Sequence, residues 1–148
     1  MENNFDARDA LSAVETDRQR LGDRMTAETH WAAPAQGLAT AVLIGAPAAG
    51  MPGVFVVLAA SIALFVVIEW AFRRRSGLSI SRPAGRRGMA LLVLLAVLVS
   101  GLSMLSSALW AFDLAAWIVP VALVGGLLMA LGVRAYDRTY SDEVRRAR

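Results

Sequence analysis

Apolar positions form long uninterrupted runs in the middle of this chain. No charged residue occurs from Trp31 to Ile68 or from Gly88 to Phe112, and a further uncharged run follows from Leu114 to Val133. As one straight helix, residues 31–68 would be roughly 57 Å long, whereas the hydrocarbon core of a bilayer is about 30 Å thick. The pattern therefore predicts an all-α, polytopic membrane protein whose four transmembrane helices form two hairpins.

Turn-forming residues place the breaks between these helices. Residues 45–53 contain three glycines and two prolines, which predict the first turn, and Asp113 marks the second. Pro120 is expected to kink the last helix or to lie in its first turn. The predicted spans are residues 31–48, 52–72, 89–111 and 114–134.

Polar segments flank the spans. Residues 1–30 predict an amphipathic cytoplasmic helix with a thin apolar stripe made of Leu11, Val14, Leu21 and Met25. Residues 73–87 form a basic cytoplasmic loop, and residues 135–148 form a cytoplasmic tail that is expected to continue as a helix. The N-terminal segment carries more acids than arginines, so three interpretations remain open: it docks on the basic loop, the loop binds anionic lipids, or both are simply solvated.

Arginine placement sets the predicted orientation. All fifteen basic residues are arginines, and every one lies in the N-terminal segment, in the middle loop, at the inner end of the last span (Arg134) or in the tail. The positive-inside rule makes that side cytoplasmic, with both termini inside, which predicts a multi-pass protein of the bacterial inner (plasma) membrane. Aromatic residues agree with this orientation, because they lie where the interfaces are expected: Trp31, Trp70, Tyr136 and Tyr140 at the inner one, Trp110 and Trp117 at the outer one.

Few residues are candidates for chemistry. The chain has one histidine and no cysteine, and no catalytic or nucleotide-binding motif is present, so we predict no metal site, no cofactor and no enzyme activity. Apart from the turn residue Asp113, Glu69 is the only acid within the hydrophobic blocks, and it is a candidate coupling carboxylate. Its i,i+4 spacing to Arg73 at an interface favours a structural ion pair instead.

Two further sets of residues are candidates for binding. The arginines of the middle loop are candidates for lipid-headgroup binding or docking: Arg73, Arg74, Arg75, Arg82, Arg86 and Arg87. Small residues at helical spacing are candidates for helix packing: Gly37, Ala41, Gly45, Ser100, Ser103, Ser107 and Gly126. The ridge in the first span either packs inside one bundle or forms an interface with another chain.

A resemblance to known proteins rests on four features: the segment Asp9-Ala10-Leu11-Ser12-Ala13-Val14-Glu15, the arginines that follow it, Trp31 before the first span, and the arginine loop. In these features the chain resembles a group of uncharacterised actinobacterial four-span membrane proteins. The resemblance covers most of the chain and implies an inner-membrane location. It implies no activity and no site residues.

The expected function is that of a non-enzymatic accessory, scaffold or regulatory subunit, because the spans carry almost no charge. Its expected partners are the lipid bilayer, including anionic lipids, and either further copies of itself or a larger membrane complex. The alternative is a small oligomeric transporter or channel. Although the pI is about 10.5, no nucleic-acid partner is expected, because the arginines lie beside apolar spans.

Overall fold

The computed structural model describes the backbone of residues 2–76 and 86–146, and the side chains of residues 13, 14, 16, 20, 27–75 and 88–138. The described residues contain helices and no strand. Four long helices follow one another, with short 3-10 turns at Ala46–Ala49 and Ala115–Trp117: α1 (Glu2–Gly45), α2 (Gly50–Ser76), α3 (Arg86–Ala111) and α4 (Ile118–Arg146).

Three stretches of the described chain are long and apolar enough to cross a membrane: Ala27–Arg75, Gly88–Ala111 and Ala115–Arg138. The first has 49 residues and contains the end of α1, the first 3-10 turn and almost all of α2. Large apolar side chains cover the outside of α2, α3 and α4, including Phe55, Met104 and Leu123. An all-α fold with long apolar helices is therefore confirmed, and these helices are compatible with insertion into a membrane.

The helix breaks within the glycine- and proline-rich segment, as predicted. Gly45 ends α1. Gly50 has φ 62° and ψ 178°, a backbone conformation that residues with a Cβ rarely adopt. Met51 is extended, with φ −84° and ψ 134°, because the proline ring of Pro52 excludes the α region for the residue before it. Regular helix therefore starts at Pro52, where the second span was predicted to begin.

The second predicted turn also lies where the sequence placed it. Asp113 has φ 58° and its N–H donates to the carbonyl of Trp110 at 3.2 Å, while the N–H of Leu114 donates to that of Leu109 at 2.8 Å. These two bonds form a Schellman motif, in which a left-handed residue satisfies the last carbonyls of a helix. Pro120 is the third residue of α4 and so lies in its first turn.

The predicted boundary at residue 30 does not correspond to a helix end. The helix α1 runs without interruption from Glu2 to Gly45 and includes Pro34. The sequence changes from polar to apolar near residue 30, but the helical backbone continues through this point. Pro34 has no N–H group to donate to the carbonyl of His30, and the helix continues past this missing hydrogen bond. The helix α2 likewise extends to Ser76, into the predicted loop, and α4 continues through the predicted tail to Arg146.

The four helices do not form a closed ring. The helix α1 contacts each of the others and packs most extensively on α4, which in turn packs on α3. Within the described residues, α2 and α3 are not packed against each other. The bundle is therefore open on the side between α2 and α3, which we call the open side.

Candidate functional site

Backbones touch where α1 crosses α4. A Cβ atom on Gly37 would lie 2.6 Å from the carbonyl oxygen of Gly126 and 3.0 Å from the Cβ of Ala130. A Cβ atom on Gly126 would lie 2.6 Å from the carbonyl oxygen of Gly37 and 2.9 Å from the Cβ of Ala41. Only glycine fits at both positions, and this close approach is what small residues make possible between helices in lipid.

The contacts between these two helices run in opposite directions along the chain. A Cβ atom on Gly45 would lie 3.6 Å from the Cβ of Ala122, and at the other end the Thr29 hydroxyl donates to Asp137. Later residues of α1 thus meet earlier residues of α4, so the helices are antiparallel. The structure brings together four of the predicted packing residues, Gly37, Ala41, Gly45 and Gly126, and it uses the ridge of the first span within one chain.

The three predicted serines of α3 are placed differently. The Ser103 hydroxyl donates to the carbonyl of Val99 at 2.8 Å, and the Ser107 hydroxyl donates to that of Ser103 at 2.9 Å. Ser100 is exposed. The hydroxyls of Ser103 and Ser107 therefore donate to carbonyls of their own helix, a common arrangement for serine in apolar helices.

The helix α3 instead packs on α4 through leucines that cover glycines. Leu95 lies against Gly132, where an added Cβ would be 2.4 Å from a leucine methyl carbon, and Leu102 lies against Gly125 at 3.2 Å. Gly125 and Gly132 were not among the predicted packing residues. Their seven-residue separation, matched by that of Leu95 and Leu102, is a signal that could have identified this contact.

A cavity of about 280 Å³ lies between the four helices. Each helix contributes to its wall, and no lining residue is charged. The lining residues are Gln36 and Thr40 from α1, Phe65 from α2, Leu92, Leu95, Ala96 and Val99 from α3, and Met129, Val133 and Tyr136 from α4.

Three lining residues carry polar groups, and all three are buried. Thr40 is 0% exposed, and its Oγ1 has no hydrogen-bond partner among the described residues. Gln36, one turn earlier on the same face of α1, is 7% exposed. Tyr136, which was predicted to mark the inner interface, is 6% exposed and lines the cavity.

The candidate carboxylate Glu69 lies at the edge of the bundle. The Nε of Arg73 donates to Glu69 Oε1 at 2.7 Å, and both side chains are partly exposed. This is the i,i+4 ion pair that the spacing predicted. Glu69 does not line the cavity.

The other described arginines of this region stack on tryptophans. The guanidinium of Arg74 lies 5.2 Å from the ring centroid of Trp70, and that of Arg75 lies 5.2 Å from the ring centroid of Trp31. The indole N–H of Trp31 donates to Glu28. We call these five residues the arginine rim. The contact of Arg75 with Trp31 joins the end of α2 to α1, whereas the contact of Arg74 with Trp70 lies within α2.

The remaining predicted arginines are outside this description. Arg82, and the side chains of Arg86 and Arg87, lie outside the described residues, as do Leu11, Leu21 and Met25 of the N-terminal stripe. Val14, the described member of that stripe, is 47% exposed. Across the described part of the chain, no three His, Asp or Glu side chains lie close enough together to hold a metal ion.

Comparisons with known protein families, with curated proteins and with solved structures find no match to this chain.

Proposed function

We propose that this chain is a non-enzymatic subunit of a membrane assembly, with a partner helix packed on its open side. We further propose that its helices cross a bacterial plasma membrane four times as two hairpins, with both termini in the cytoplasm. The antiparallel pairing of α1 with α4 supports this topology, because it brings the two ends of the chain to the same side of the bundle.

The observation that carries the proposal is the exposure of α3. Among its described residues, only Gly88 and Ser106 are buried, and α3 has no extensive contact with α2. A four-helix bundle that functioned alone would normally close its core on all sides. An open side in this bundle leaves room for a helix from another chain.

Small residues follow that open side. Ala96, Ser100, Ser103 and Ser107 lie on one stripe of α3, since they are spaced by four, three and four residues. Ala96 lines the cavity, whereas Leu95 and Leu102 face α4. The stripe therefore runs from the cavity along the face of α3 that does not pack on α4. Small and hydroxylated residues are those that allow close helix association in lipid.

The placement of charge argues against the transporter alternative. A coupling carboxylate is expected to face the bundle interior or a water-filled cavity. Glu69 pairs with Arg73 at a partly exposed position, and no charged residue lines the cavity.

The partner surface can be tested by purifying the full chain from native membranes in mild detergent. The variants Ser103→Leu and Ser107→Leu should no longer co-purify with the partner protein of the wild type, or should no longer form the larger oligomer that the wild type forms. Gly101→Leu is the matched control, because it adds bulk to α3 at a position with no neighbouring atom within 4 Å. A wild-type monomer without a partner would contradict the subunit proposal, and equal disruption by all variants would contradict the stripe.

The topology can be tested separately because the chain has no cysteine. Single cysteines at Ala49 and Phe112, both exposed, should react with an impermeant thiol reagent added to intact cells. A cysteine at the exposed Arg138 should react only after the membrane is opened. Protection of position 49 from the external reagent would show that the first pair of helices does not cross and return.

A further inference from the structure

We propose that the arginine rim binds the headgroup phosphate of one anionic phospholipid in the cytoplasmic leaflet, through the guanidinium groups of Arg74 and Arg75. The acyl chains of this lipid lie along the apolar face of α2 that leads to these two arginines. The inference rests on the membrane insertion and orientation proposed above, but not on a protein partner at the open side.

Arg74 and Arg75 are the exposed cations of the arginine rim, and neither forms an ion pair with a described residue. The contact of each guanidinium with a tryptophan ring holds it in place without neutralising its charge. A guanidinium has five N–H donors and stays charged in proteins. Because the ring contacts leave most of these donors available, the two side chains can bind a phosphate group, which arginine recognises through paired N–H···O bonds.

The carboxylates of the adjoining helix turns have other partners. Glu69 accepts a hydrogen bond from Arg73, and Glu28 accepts one from the indole of Trp31. The next acid along α1 is Asp23, whose backbone lies eight residues before Trp31 and so about 12 Å further along the helix. The acids of α1 and α2 thus leave the two guanidiniums to an anion from outside the chain.

An apolar stripe on α2 leads to the two arginines. Its members are spaced by four, three and four residues: Ala60, Leu64, Val67 and Ala71. Arg74 and Arg75 follow Ala71 by three and four residues, so both lie at the end of this stripe. Leu64 is 39% exposed and Val67 is 58% exposed. The stripe therefore offers the bilayer an apolar surface that ends in two cations, which matches the apolar chains and the phosphate of a phospholipid.

This lipid site lies on a different face of α2 from the cavity. Phe65 lines the cavity, and Glu69 and Arg73 follow it at spacings of four residues, so these three share one side of the helix. Val67, in the middle of the apolar stripe, is two residues after Phe65 and lies about 200° around the helix from it. A lipid on the stripe and a partner helix at the open side can therefore bind at the same time.

The depth of the arginine rim fits a lipid phosphate. Trp31 and Trp70 are expected at the inner interface, and Arg74 is one turn beyond Trp70, about 6 Å nearer the cytoplasm. The apolar stretch Ala27–Arg75 ends at the same level. The surface of the cytoplasmic leaflet is negatively charged. Phosphatidylglycerol fits best, because its headgroup has no ammonium group that neutralises the phosphate, as that of phosphatidylcholine has.

The test measures lipid binding to the full chain in mild detergent by native mass spectrometry. Phosphatidylglycerol and phosphatidylcholine with the same acyl chains are added in equal amounts. The wild type should bind one phosphatidylglycerol per chain in preference to phosphatidylcholine. Arg74→Gln should lower the affinity for phosphatidylglycerol about fivefold, the effect of one basic residue at an anionic surface, and should leave the affinity for phosphatidylcholine unchanged.

Arg73→Gln is the matched control. It removes the same charge from the same turn of α2, but Arg73 is already paired with Glu69, so the affinity for phosphatidylglycerol should stay nearly unchanged. Trp70→Leu keeps every charge and removes the ring that holds Arg74, so it should weaken binding about two- to fivefold. Equal losses from Arg73→Gln and Arg74→Gln would overturn the proposal in favour of diffuse charge attraction.

A second measurement separates loss of the lipid from loss of the fold. Without added lipid, Arg74→Gln should melt at the temperature of the wild type, because this side chain is exposed and its ring contact lies within α2. Phosphatidylglycerol should raise the melting temperature of the wild type more than that of the variant, since a ligand of the folded state stabilises it.

Three other results would overturn the proposal. They are equal binding of both lipids by the wild type, displacement of phosphatidylglycerol by soluble glycerol phosphate, and loss of an acidic partner protein from Arg74→Gln while phosphatidylglycerol binding is unchanged. The cysteine labelling described above tests the membrane topology independently. Labelling as expected, together with no preference for phosphatidylglycerol, would contradict the lipid site alone.

Discussion

The Gly126→Ala substitution should separate α1 from α4. Its new methyl group would lie 2.6 Å from the carbonyl oxygen of Gly37, whereas ordinary van der Waals contact begins near 3.4 Å. The two backbones must therefore move apart by about 0.8 Å, the difference between these distances. Because that oxygen is part of the helix backbone, no side-chain rotation relieves the clash. Overpacking of this kind costs about 1–3 kcal/mol.

The matched control is Gly101→Ala in the middle of α3. An added Cβ at Gly101 meets no atom within 4 Å, so this variant reports helix propensity alone, a gain of about 0.5–1 kcal/mol. Gly126→Ala has the same gain in helix propensity but also the clash, so the free energies of unfolding of the two variants should differ by about 1–3 kcal/mol. Titration with sodium dodecyl sulfate in mixed micelles, followed by tryptophan fluorescence, measures that difference. Equal stabilisation by both variants would refute the close crossing of α1 and α4.

Three further substitutions test other parts of the fold in the same titration. Thr29→Val removes the hydroxyl that donates to Asp137 and should cost about 1–3 kcal/mol; an unchanged midpoint would show that this contact does not join the helices. Glu69→Gln breaks the pair with Arg73 and should cost no more than about 0.5 kcal/mol, since both side chains are partly exposed. It should also leave proton flux into liposomes unaltered, and a flux present in the wild type and lost in the variant would favour the transporter. Gly50→Ala should cost about 1–3 kcal/mol, because Gly50 has a conformation open to glycine alone; a neutral effect would argue against that turn.

Local signals in the sequence predicted the helix breaks. Glycines and prolines disturb a helix through their own backbone geometry, so the break between Gly45 and Pro52 needs no knowledge of the rest of the fold. Asp113 is similar, because aspartate tolerates the left-handed conformation that ends α3. The continuity of α1 through residue 30 was missed, because polarity indicates where a helix meets water or lipid but not where it ends.

Tertiary contacts were harder to predict from the sequence. Small-residue ridges occur on three spans, and their spacing does not predict which ridges pair. The pairing of the ridge that contains Gly37 with the ridge that contains Gly126 therefore could not be predicted. The serines of α3 belong to a similar ridge, yet they lie on the open side. Thr40 carried no signal in the sequence, since a threonine in an apolar run usually bonds its own helix.

A disulfide between α1 and α4 tests the central claim, that these helices pack side by side and antiparallel. Gly45 and Ala122 are suited to it, since a Cβ on Gly45 would lie 3.6 Å from that of Ala122, within the usual range for disulfides of about 3.5–4.5 Å. The double variant Gly45→Cys with Ala122→Cys has no other thiol with which to pair. Gly45→Cys with Gly101→Cys is the control, because Gly101 has no atom of α1 within 4 Å.

After mild oxidation in native membranes, denaturation and digestion with trypsin, mass spectrometry measures whether residues 25–73 and 88–134 remain joined. We predict that the first double variant yields this joined pair, which separates on reduction, and that the control does not. Failure of the first variant to form the bond within one chain, or its formation only between chains, would contradict the packing of α1 on α4.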